Sequence, residues 1–244
     1  MKTQIYNIVV AAGKGSRFGS DLPKQFCKIG NTPVLAITLQ RLDDIFTNNL
    51  LTAEYEAKTL LVLSEHHLEL WNDICSEFPI PPHTIIIGGA SRWESVKNAV
   101  EYIRDNNIVD FGSAVITVHD GARPLIDAKL YTDVINGISD GDGCIPAVAV
   151  VDSLRQIDKA SGASHPLDRA TIRAVQTPQA FPADRLINAY LLPYKPTFTD
   201  DASVMAEAGY TDIRMSEGNP HNIKITLPSD LKIASIYLQD EPAS

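Results

Sequence analysis

The amino-acid sequence predicts an α/β fold: an open, mostly parallel twisted sheet with helices on both faces, plus a protruding β-arm. Short apolar runs recur along the chain and alternate with helical patterns, which is typical of a Rossmann-like α/β sheet. These runs are almost continuously apolar, as expected of strands that are buried on both faces. A polar segment at residues 152–174 interrupts the pattern and predicts the arm.

The predicted strands are short runs rich in β-branched residues. They are Tyr6–Ala12, Thr59–Leu63, Thr84–Ile87, Ala114–Val118 and Cys144–Val150. Because apolar residues follow one another in these runs instead of alternating with polar ones, the runs fit the interior of a parallel sheet.

The predicted helices lie between and after these strands. Ser91–Arg104 has the clearest signal, because Ser91 and Glu94 stand at the spacing of a capping box. One stripe of this segment carries Trp93, Val96, Val100 and Ile103, which predicts a buried face. The other predicted helices are Pro33–Leu42, Ala183–Leu191, Asp200–Gly209 and a last helix from Pro228. A strand is predicted between the last two of these helices.

The β-arm is predicted to consist of two strands between Asp152 and Ala174, with a turn near Ser161 and Gly162. A lone hairpin is only marginally stable in water, so we expect it to pack on another surface such as a second subunit. A mobile surface loop is the alternative. Since no repeat, low-complexity tract or linker divides the sequence, residues 1–244 are predicted to form one domain that carries this arm.

The composition is that of an ordinary globular protein with an acidic surface. Hydrophobic residues make up 44% and charged residues 21% of the chain, and the net charge is −9. Such a surface argues against nucleic-acid and anionic-membrane binding, although a few basic residues in one cleft suffice for a small anion. Three scattered cysteines, no signal-peptide core and no apolar span of about 20 residues predict a cytoplasmic protein.

A glycine-rich loop with basic residues follows the first predicted strand. Gly13 and Gly15 let backbone N–H groups approach an anion, and Lys14, Arg17 and Lys24 supply positive charge. Ligands bind beyond the carboxyl ends of strands in open α/β sheets, so the loop is predicted to bind phosphate. The segment has neither the Walker spacing nor the dinucleotide fingerprint. A simple glycine turn is the alternative, and it leaves the basic residues unexplained.

Three further residues are candidates for phosphate chemistry. Asp120 follows a buried strand, where a carboxylate can hold Mg²⁺ against phosphate oxygens, and capping the next turn is the alternative. Arg123 is suited to bidentate phosphate binding, and a structural ion pair is its alternative. Lys224 lies between apolar neighbours in an alternating segment, where an exposed edge lysine is the alternative.

Six stretches of the sequence together resemble one family. They are AAGKGSRFG at 11–19 with LPKQF at 22–26, GGASRWES at 88–95, HDGARP at 119–124, TPQ at 177–179, TDDA at 199–202 and NIKIT at 222–226. In this order they resemble the 2-C-methyl-D-erythritol 4-phosphate cytidylyltransferase family of sugar-phosphate nucleotidyltransferases. The resemblance implies a homodimeric, Mg²⁺-dependent enzyme of isoprenoid-precursor biosynthesis (EC 2.7.7 class). Such an enzyme transfers CMP from CTP to a polyol phosphate and releases pyrophosphate.

The resemblance also implies roles for residues at the matching positions. CTP is assigned to Ala11, Ala12, Gly13, Gly15, Arg17, Lys24, Gly89, Ser95 and Asp120, and Asp120 also to the Mg²⁺. The implied catalytic residues are Arg17, Lys24, Asp120 and Lys224. Relatives often carry an acidic residue where Ala90 stands here, so base recognition is expected to depend on backbone groups.

The polyol phosphate is predicted to meet residues from two subunits. They are Arg123, Ser153, Thr177, Thr199 and Lys224, with Arg169 reaching the site of the other subunit from the arm. Residues 218–221 lack the acid that relatives can carry, so metal ligands beyond Asp120 stay unassigned. Three other functions are the alternatives to this enzyme. They are a D-ribitol 5-phosphate cytidylyltransferase, a transferase for UTP or a purine triphosphate, and a non-catalytic nucleotide-binding module.

Overall fold

A computed structural model of the chain describes residues 2–13, 18, 22–48, 51–106, 112–139 and 141–240. Its strands are β1 Thr3–Val10, β2 Lys28–Ile29, β3 Thr32–Pro33, β4 Tyr55–Leu63, β5 Thr84–Ile87, β6 Val115–Asp120, β7 Gly143–Ala149, β8 Leu154–Ile157, β9 Ser164–Leu167, β10 Arg173–Val175, β11 Gln179–Pro182 and β12 Ile213–Glu217. Its α-helices are α1 Val34–Thr47, α2 Leu51–Glu54, α3 Leu68–Glu77, α4 Arg92–Asp105, α5 Ala128–Ile138, α6 Ala183–Ala189, α7 Asp201–Glu207 and α8 Pro228–Asp240. Strands and helices alternate through the first half, as the sequence predicts.

The main sheet has the strand order β10-β7-β11-β6-β1-β4-β5, and β12 pairs with β7. The strands β6, β1, β4 and β5 run parallel, and β11 runs antiparallel to β6 and β7. The register pairs Val10 with both Asp120 and Val62, so the carboxyl ends of three strands meet at one edge. Ligands bind at this edge in open α/β sheets.

Both faces of the sheet are covered by helices, because successive side chains of a strand point to opposite faces. Along β1, Tyr6 and Ile8 pack towards α4 and α6, whereas Ile5 and Val9 pack towards α1, α3 and α5. All four side chains are fully buried. Each of the three aliphatic side chains, Ile5, Ile8 and Val9, stabilises the fold by about 1.5–3 kcal/mol relative to an exposed position. The predicted fold class is therefore confirmed.

The predicted elements are present, with shifted ends. The bounds of Thr84–Ile87 and the start at Pro228 are as predicted, and the other predicted strands differ by at most four residues at either end. The largest strand error is at the start of β4, where residues 55–59 are exposed or half-buried and only 60–63 are buried. The apolar run therefore marked only the buried half of this strand. The helix α1 continues to Thr47, beyond the predicted end at Leu42.

The start of α4 confirms the predicted capping box. The Oγ of Ser91 accepts the backbone N–H of Glu94 at 3.1 Å, and the Glu94 carboxylate accepts the N–H of Ser91 at 3.1 Å. The same carboxylate oxygen accepts the N–H of Ala90 at 2.6 Å. The loop before the helix is thereby fixed at the sheet edge where the parallel strands end.

The predicted arm contains a two-stranded antiparallel hairpin, but its last predicted residues, Arg173 and Ala174, belong to β10 of the main sheet. Its strands β8 and β9 pair Leu154 with Leu167 and Ile157 with Ser164, and they form a sheet of their own. Gly162 makes the turn with a φ of +72°. Nearly every residue of the hairpin is exposed. Among the described helices, none is both long enough and apolar enough to span a membrane.

Candidate active site

A cleft of about 680 Å³ lies at the carboxyl ends of β1, β4, β5 and β6. Eight of the residues that the sequence assigns to the site line it together: Ala11, Ala12, Gly13, Lys24, Gly89, Ser95, Asp120 and Lys224. These residues come from four separate sequence motifs. The sheet register brings them together, because it aligns the strand ends that carry or precede them.

The inner end of the cleft is a narrow slot between two backbone segments. A side chain at Gly88 would place its Cβ 2.4 Å from the Cβ of Ala12, so only glycine fits there. The Ser95 hydroxyl accepts the N–H of Gly89 at 3.2 Å and donates to the carbonyl of Ser91 at 2.8 Å. Ser95 therefore holds the slot open as well as lining it.

Gln25, to which no sequence pattern assigns a role, fastens the other side of the slot. Its Nε2 donates to the carbonyl of Ala11 at 2.7 Å and to that of Gly13 at 3.2 Å. The side chain is 2% exposed. It ties the strand end to the short 3-10 turn Lys24–Phe26, and that turn brings Lys24 to the cleft. Its place beside Lys24 in the LPKQF stretch was the available sequence signal.

Asp120 is the electrostatic centre of the cleft. Its carboxylate lies 2.8 Å from Nζ of Lys224, 3.5 Å from Nε of Arg123 and 3.7 Å from Nε of Arg92. Burial by itself raises the pKa of Asp120, but the charges of Lys224, Arg92 and Arg123 outweigh burial and hold the pKa well below its ordinary value. The carboxylate is therefore ionised at neutral pH.

The backbone of Asp120 is held by two buried side chains. Its N–H donates to Oγ1 of Thr177 at 3.0 Å, and Oγ1 lies 3.1 Å from Nδ1 of His119. Nε2 of His119 lies 3.1 Å from the carbonyl of Arg123, so we place the imidazole proton on Nε2, and Nδ1 accepts the Thr177 hydroxyl. Burial lowers the pKa of His119 to about 4, which keeps the ring neutral. Thr177 is 5% exposed, and its contact with the polyol phosphate stays a prediction.

Arg123 adopts the ion-pair arrangement that was the alternative to phosphate binding. Besides Asp120, its guanidinium donates to the backbone carbonyl of Asn222 at 2.7 Å. The side chain is 12% exposed and does not line the cleft. Its contact with a substrate phosphate therefore stays a prediction.

Arg92 and Asp201 form a charged pair to which no sequence pattern assigns a role. Nη2 of Arg92 lies 2.6 Å from Oδ2 of Asp201, a side chain with no exposed surface. The hydroxyl of Tyr190 donates to the other oxygen of Asp201 at 2.6 Å. Burial lowers the pKa of Arg92, but the charges of Asp201 and Asp120 raise it more, so the guanidinium stays charged. Both residues lie within the quoted stretches 88–95 and 199–202, which was the available signal.

The remaining predicted residues lie outside this cleft. Ser153, Arg169 and Thr199 are exposed and do not line it. A guanidinium nitrogen of Arg169 donates to the carbonyl of Val151 within the same arm. Gly15 and Arg17 lie outside the described residues.

Comparisons with known proteins agree with the cleft. A sequence model of the 2-C-methyl-D-erythritol 4-phosphate cytidylyltransferase family matches residues 5–240. The enzyme of that name from Bacteroides fragilis is 37% identical over 236 residues, which cover 95% of this chain and 98% of the relative. The one from Porphyromonas gingivalis is 33% identical over 240 residues, 98% of this chain and 99% of the relative.

Solved structures show the same similarity. The crystal structure of 2-C-methyl-D-erythritol 4-phosphate cytidylyltransferase from Francisella tularensis superposes with a TM-score of 0.71 at 28% identity, over 96% of this chain and 99% of that one. The structure of 4-diphosphocytidyl-2C-methyl-D-erythritol synthase from Anaerococcus prevotii gives a TM-score of 0.75 at 24% identity. It covers 97% of this chain and 99% of that one, and at this identity it supports the fold alone.

Proposed function

The chain belongs to the 2-C-methyl-D-erythritol 4-phosphate cytidylyltransferase family, and from that premise we propose what its cleft does. The enzyme transfers CMP from CTP to 2-C-methyl-D-erythritol 4-phosphate and releases pyrophosphate. The observation that carries this proposal is the cleft itself, where eight residues assigned from separate motifs meet at one sheet edge.

The slot suits a cytosine ring because it is narrow and lined by backbone groups. Ala12 and Gly88 lie so close together that no side chain fits at position 88. Gln25 holds the wall at Ala11, and Ser95 holds the wall at Gly89. Backbone N–H and C=O groups in such a slot favour a compact pyrimidine over a purine. Lys24 at the cleft, and Arg17 by resemblance, hold the β- and γ-phosphates.

The Asp120 carboxylate fits a magnesium ion that arrives with the triphosphate. Mg²⁺ is commonly held by one or two carboxylates, with substrate phosphates and waters completing six ligands. Asp120 supplies one ionised carboxylate at the cleft. Among the described residues, no group of three His, Cys, Asp or Glu side chains lies together. When bound, the ion would neutralise charge on the phosphates.

The reaction itself is an in-line substitution at phosphorus. A phosphate oxygen of the acceptor forms a bond to the α-phosphorus of CTP, and the bond from that phosphorus to the β-phosphate bridging oxygen breaks, so pyrophosphate leaves. The acceptor phosphate is already ionised, so no side chain has to remove a proton. The main obstacle is repulsion between two polyanions. Lys224, which is 38% exposed at the cleft, offsets that charge.

We propose further that two copies of the chain form a homodimer through the arm. Val151, Ile157 and Met215 are 79%, 66% and 64% exposed, and such side chains favour a covered surface. A groove of about 520 Å³ at the base of the arm is lined by Val151, Arg173 and Met215. Ser153 and Arg169 do not line the cleft of their own chain, which fits a role in the cleft of a partner.

We also propose that the protein acts in the cytoplasm. Cys27, Cys75 and Cys144 take part in no disulfide. Cysteines outside disulfides are typical of reducing compartments, and this supports the cytoplasm as the site of action.

The experiment that tests the proposed function is pyrophosphate release with Mg²⁺–CTP and each of two acceptors. Turnover with 2-C-methyl-D-erythritol 4-phosphate and none with D-ribitol 5-phosphate is expected. Preference for D-ribitol 5-phosphate would keep the chemistry but reject the acceptor. UTP, ATP and GTP in place of CTP test the donor, and no turnover with any pair would reject the proposal.

A further inference from the structure

The three cations around Asp120 differ in what else holds them. Arg123 donates to the carbonyl of Asn222 at 2.7 Å, and Arg92 lies 2.6 Å from the carboxylate of Asp201. Lys224 has no partner besides Asp120 for its ammonium group among the described residues, and its side chain is 38% exposed. Two cations are therefore anchored by a second partner, and the third is able to turn towards a ligand.

The anchor of Arg92 is itself fixed by several bonds. Asp201 accepts the hydroxyl of Tyr190 at 2.6 Å on one oxygen and pairs with Arg92 on the other. Its backbone N–H donates to Oε1 of Gln179 at 3.1 Å. The side chain has no exposed surface, so water cannot replace these partners. Asp201 therefore has one orientation available, and it sets the position of the Arg92 guanidinium.

We propose that Asp201 is a positioning residue, which through Arg92 keeps a fixed cation beside Asp120 when Lys224 turns to the substrate phosphates. This inference rests on the proposed function, because it assumes that phosphates enter the cleft. Without Arg92, the departure of Lys224 would leave the buried Asp120 carboxylate with Arg123 as its one remaining cation among the described residues. A buried charge that loses its partner is costly and tends to move.

Arg92 needs an anchor because the carboxylates of Asp120 and Asp201 both attract its guanidinium. Arg92 lies 3.7 Å from Asp120, farther than from Asp201, so Asp201 holds it back from direct contact with the carboxylate that faces the cleft. If Asp201 loses its charge, Arg92 is expected to move onto Asp120 and cover oxygens that the substrate complex uses. A displacement of this kind near reacting groups can lower turnover about a hundredfold.

The test compares Asp201→Asn with Asp200→Asn. Both variants remove one negative charge at the start of α7. Asparagine at position 200 keeps the helix cap, in which Oδ1 accepts the N–H of Ser203, and loses only the bond that Oδ2 accepts from Nε2 of Gln179. With CTP and 2-C-methyl-D-erythritol 4-phosphate, Asp201→Asn is expected to lower kcat by about 10- to 100-fold, the range found for residues that orient ligands in other sites. The KM for CTP should change little, because the base slot is untouched. Equal kcat in the two variants would overturn the proposal.

Two further variants separate positioning from a merely structural role. In an Arg92→Met background, adding Asp201→Asn should leave kcat unchanged and raise the Tm, because Asp201 acts through Arg92 and is unpaired without it. A further fall in kcat would contradict the proposal. Tyr190→Phe, which keeps the buried ring, should lower kcat in the same direction by a smaller factor. If Asp201→Asn does not fold, Tyr190→Phe decides, and unchanged kcat in it counts against the proposal.

A crystal structure of Asp201→Asn gives a readout that does not depend on turnover. The Arg92 guanidinium is expected to lie closer to Asp120 than the 3.7 Å of the parent. An unmoved Arg92 would overturn the positioning role even if kcat falls. If the parent releases no pyrophosphate with any acceptor, the proposed function fails, and this distance alone then decides whether Asp201 positions Arg92.

Discussion

The cleft and the arm of this protein are built in opposite ways. In the cleft, Asp120 is buried, and it is held within the same chain by ion pairs to Arg92, Arg123 and Lys224 and by a hydrogen bond from its N–H to Thr177. In the arm, β8 and β9 bond mainly to each other, and their side chains are exposed. The cleft is therefore organised before any ligand arrives. The arm has little in its own chain to pack against, which is why a partner copy is the natural place for its contacts.

The two regions therefore supply different parts of the chemistry. A preorganised charged cleft can bind the donor and stabilise developing charge with little rearrangement beyond the turn of Lys224. An exposed hairpin, which is marginal alone, contributes groups only after it docks. We therefore expect donor binding to depend on one chain and acceptor binding on two.

The largest expected effect is in the cleft, where Lys24→Ala removes a cation from the triphosphate site. We expect kcat to fall by at least about a hundredfold, in line with losses on removal of a single transition-state contact. Lys28→Ala is the matched control, since Lys28 is exposed four residues further on and lies over the ring of Phe78. Steady-state pyrophosphate release and thermal unfolding measure the two effects. Arg17→Ala is expected to behave like Lys24→Ala, and near-normal turnover in both would reject the assigned triphosphate site.

The next expected effect tests whether the arm works in trans. Arg169→Ala and Lys24→Ala are each expected to be nearly inactive. If they are mixed and allowed to exchange subunits, half of the dimers carry one intact site, so about one quarter of parental activity should return. In the control mixture, Arg155→Ala, which lies on the same arm, takes the place of Arg169→Ala. No recovery on mixing, or a monomeric parent in analytical ultracentrifugation, would place Arg169 outside the partner's site.

A smaller effect is expected from Gln25→Ala, which alters the wall of the slot but not its charges. Loss of the two bonds to the carbonyls of Ala11 and Gly13 should loosen the backbone that meets the base. We expect the KM for CTP to rise about tenfold, equivalent to about 1.4 kcal/mol, with kcat changed less. Gln40→Ala is the control, because Gln40 donates a comparable bond to the carbonyl of Pro79 outside the cleft. An unchanged KM would mean that Gln25 only fills space.

Most of the fold could be predicted from the sequence because its signals are local. The apolar runs, the capping box at Ser91 and the turn at Gly162 each depend on a few neighbouring residues, and all three are present. The order of strands is not local. Nothing in the run 143–149 tells that β7 lies between β10 and β11 and also pairs with β12, since pairing depends on contacts distant in sequence.

The site was predictable at the level of motifs and less so at the level of individual roles. Resemblance assigned residues such as Asp120 and Lys224, and the structure brings them within 2.8 Å. The parts that hold them in place, Gln25, Arg92 and Asp201, had no assigned role. Their function comes from partners up to 109 residues away in the sequence, as for Arg92 and Asp201. A residue that acts by orienting another leaves no separate pattern in a single sequence.

The smallest expected effect compares one substitution in the two regions. Gly162 in the arm and Gly209 after α7 both have positive φ, +72° and +92°, and a Cβ at either would meet no atom within 4 Å. Alanine at each position therefore introduces similar backbone strain, about 1–2 kcal/mol. At Gly209 that strain acts on the packed body, and the Tm should fall by about 2–4 °C per kcal/mol. At Gly162 it acts on a hairpin that opens separately, so the Tm measured at concentrations too low for dimers should hardly change. Equal falls in Tm would show that the arm unfolds together with the body, and the contrast between the two regions would then be one of ligand contacts alone.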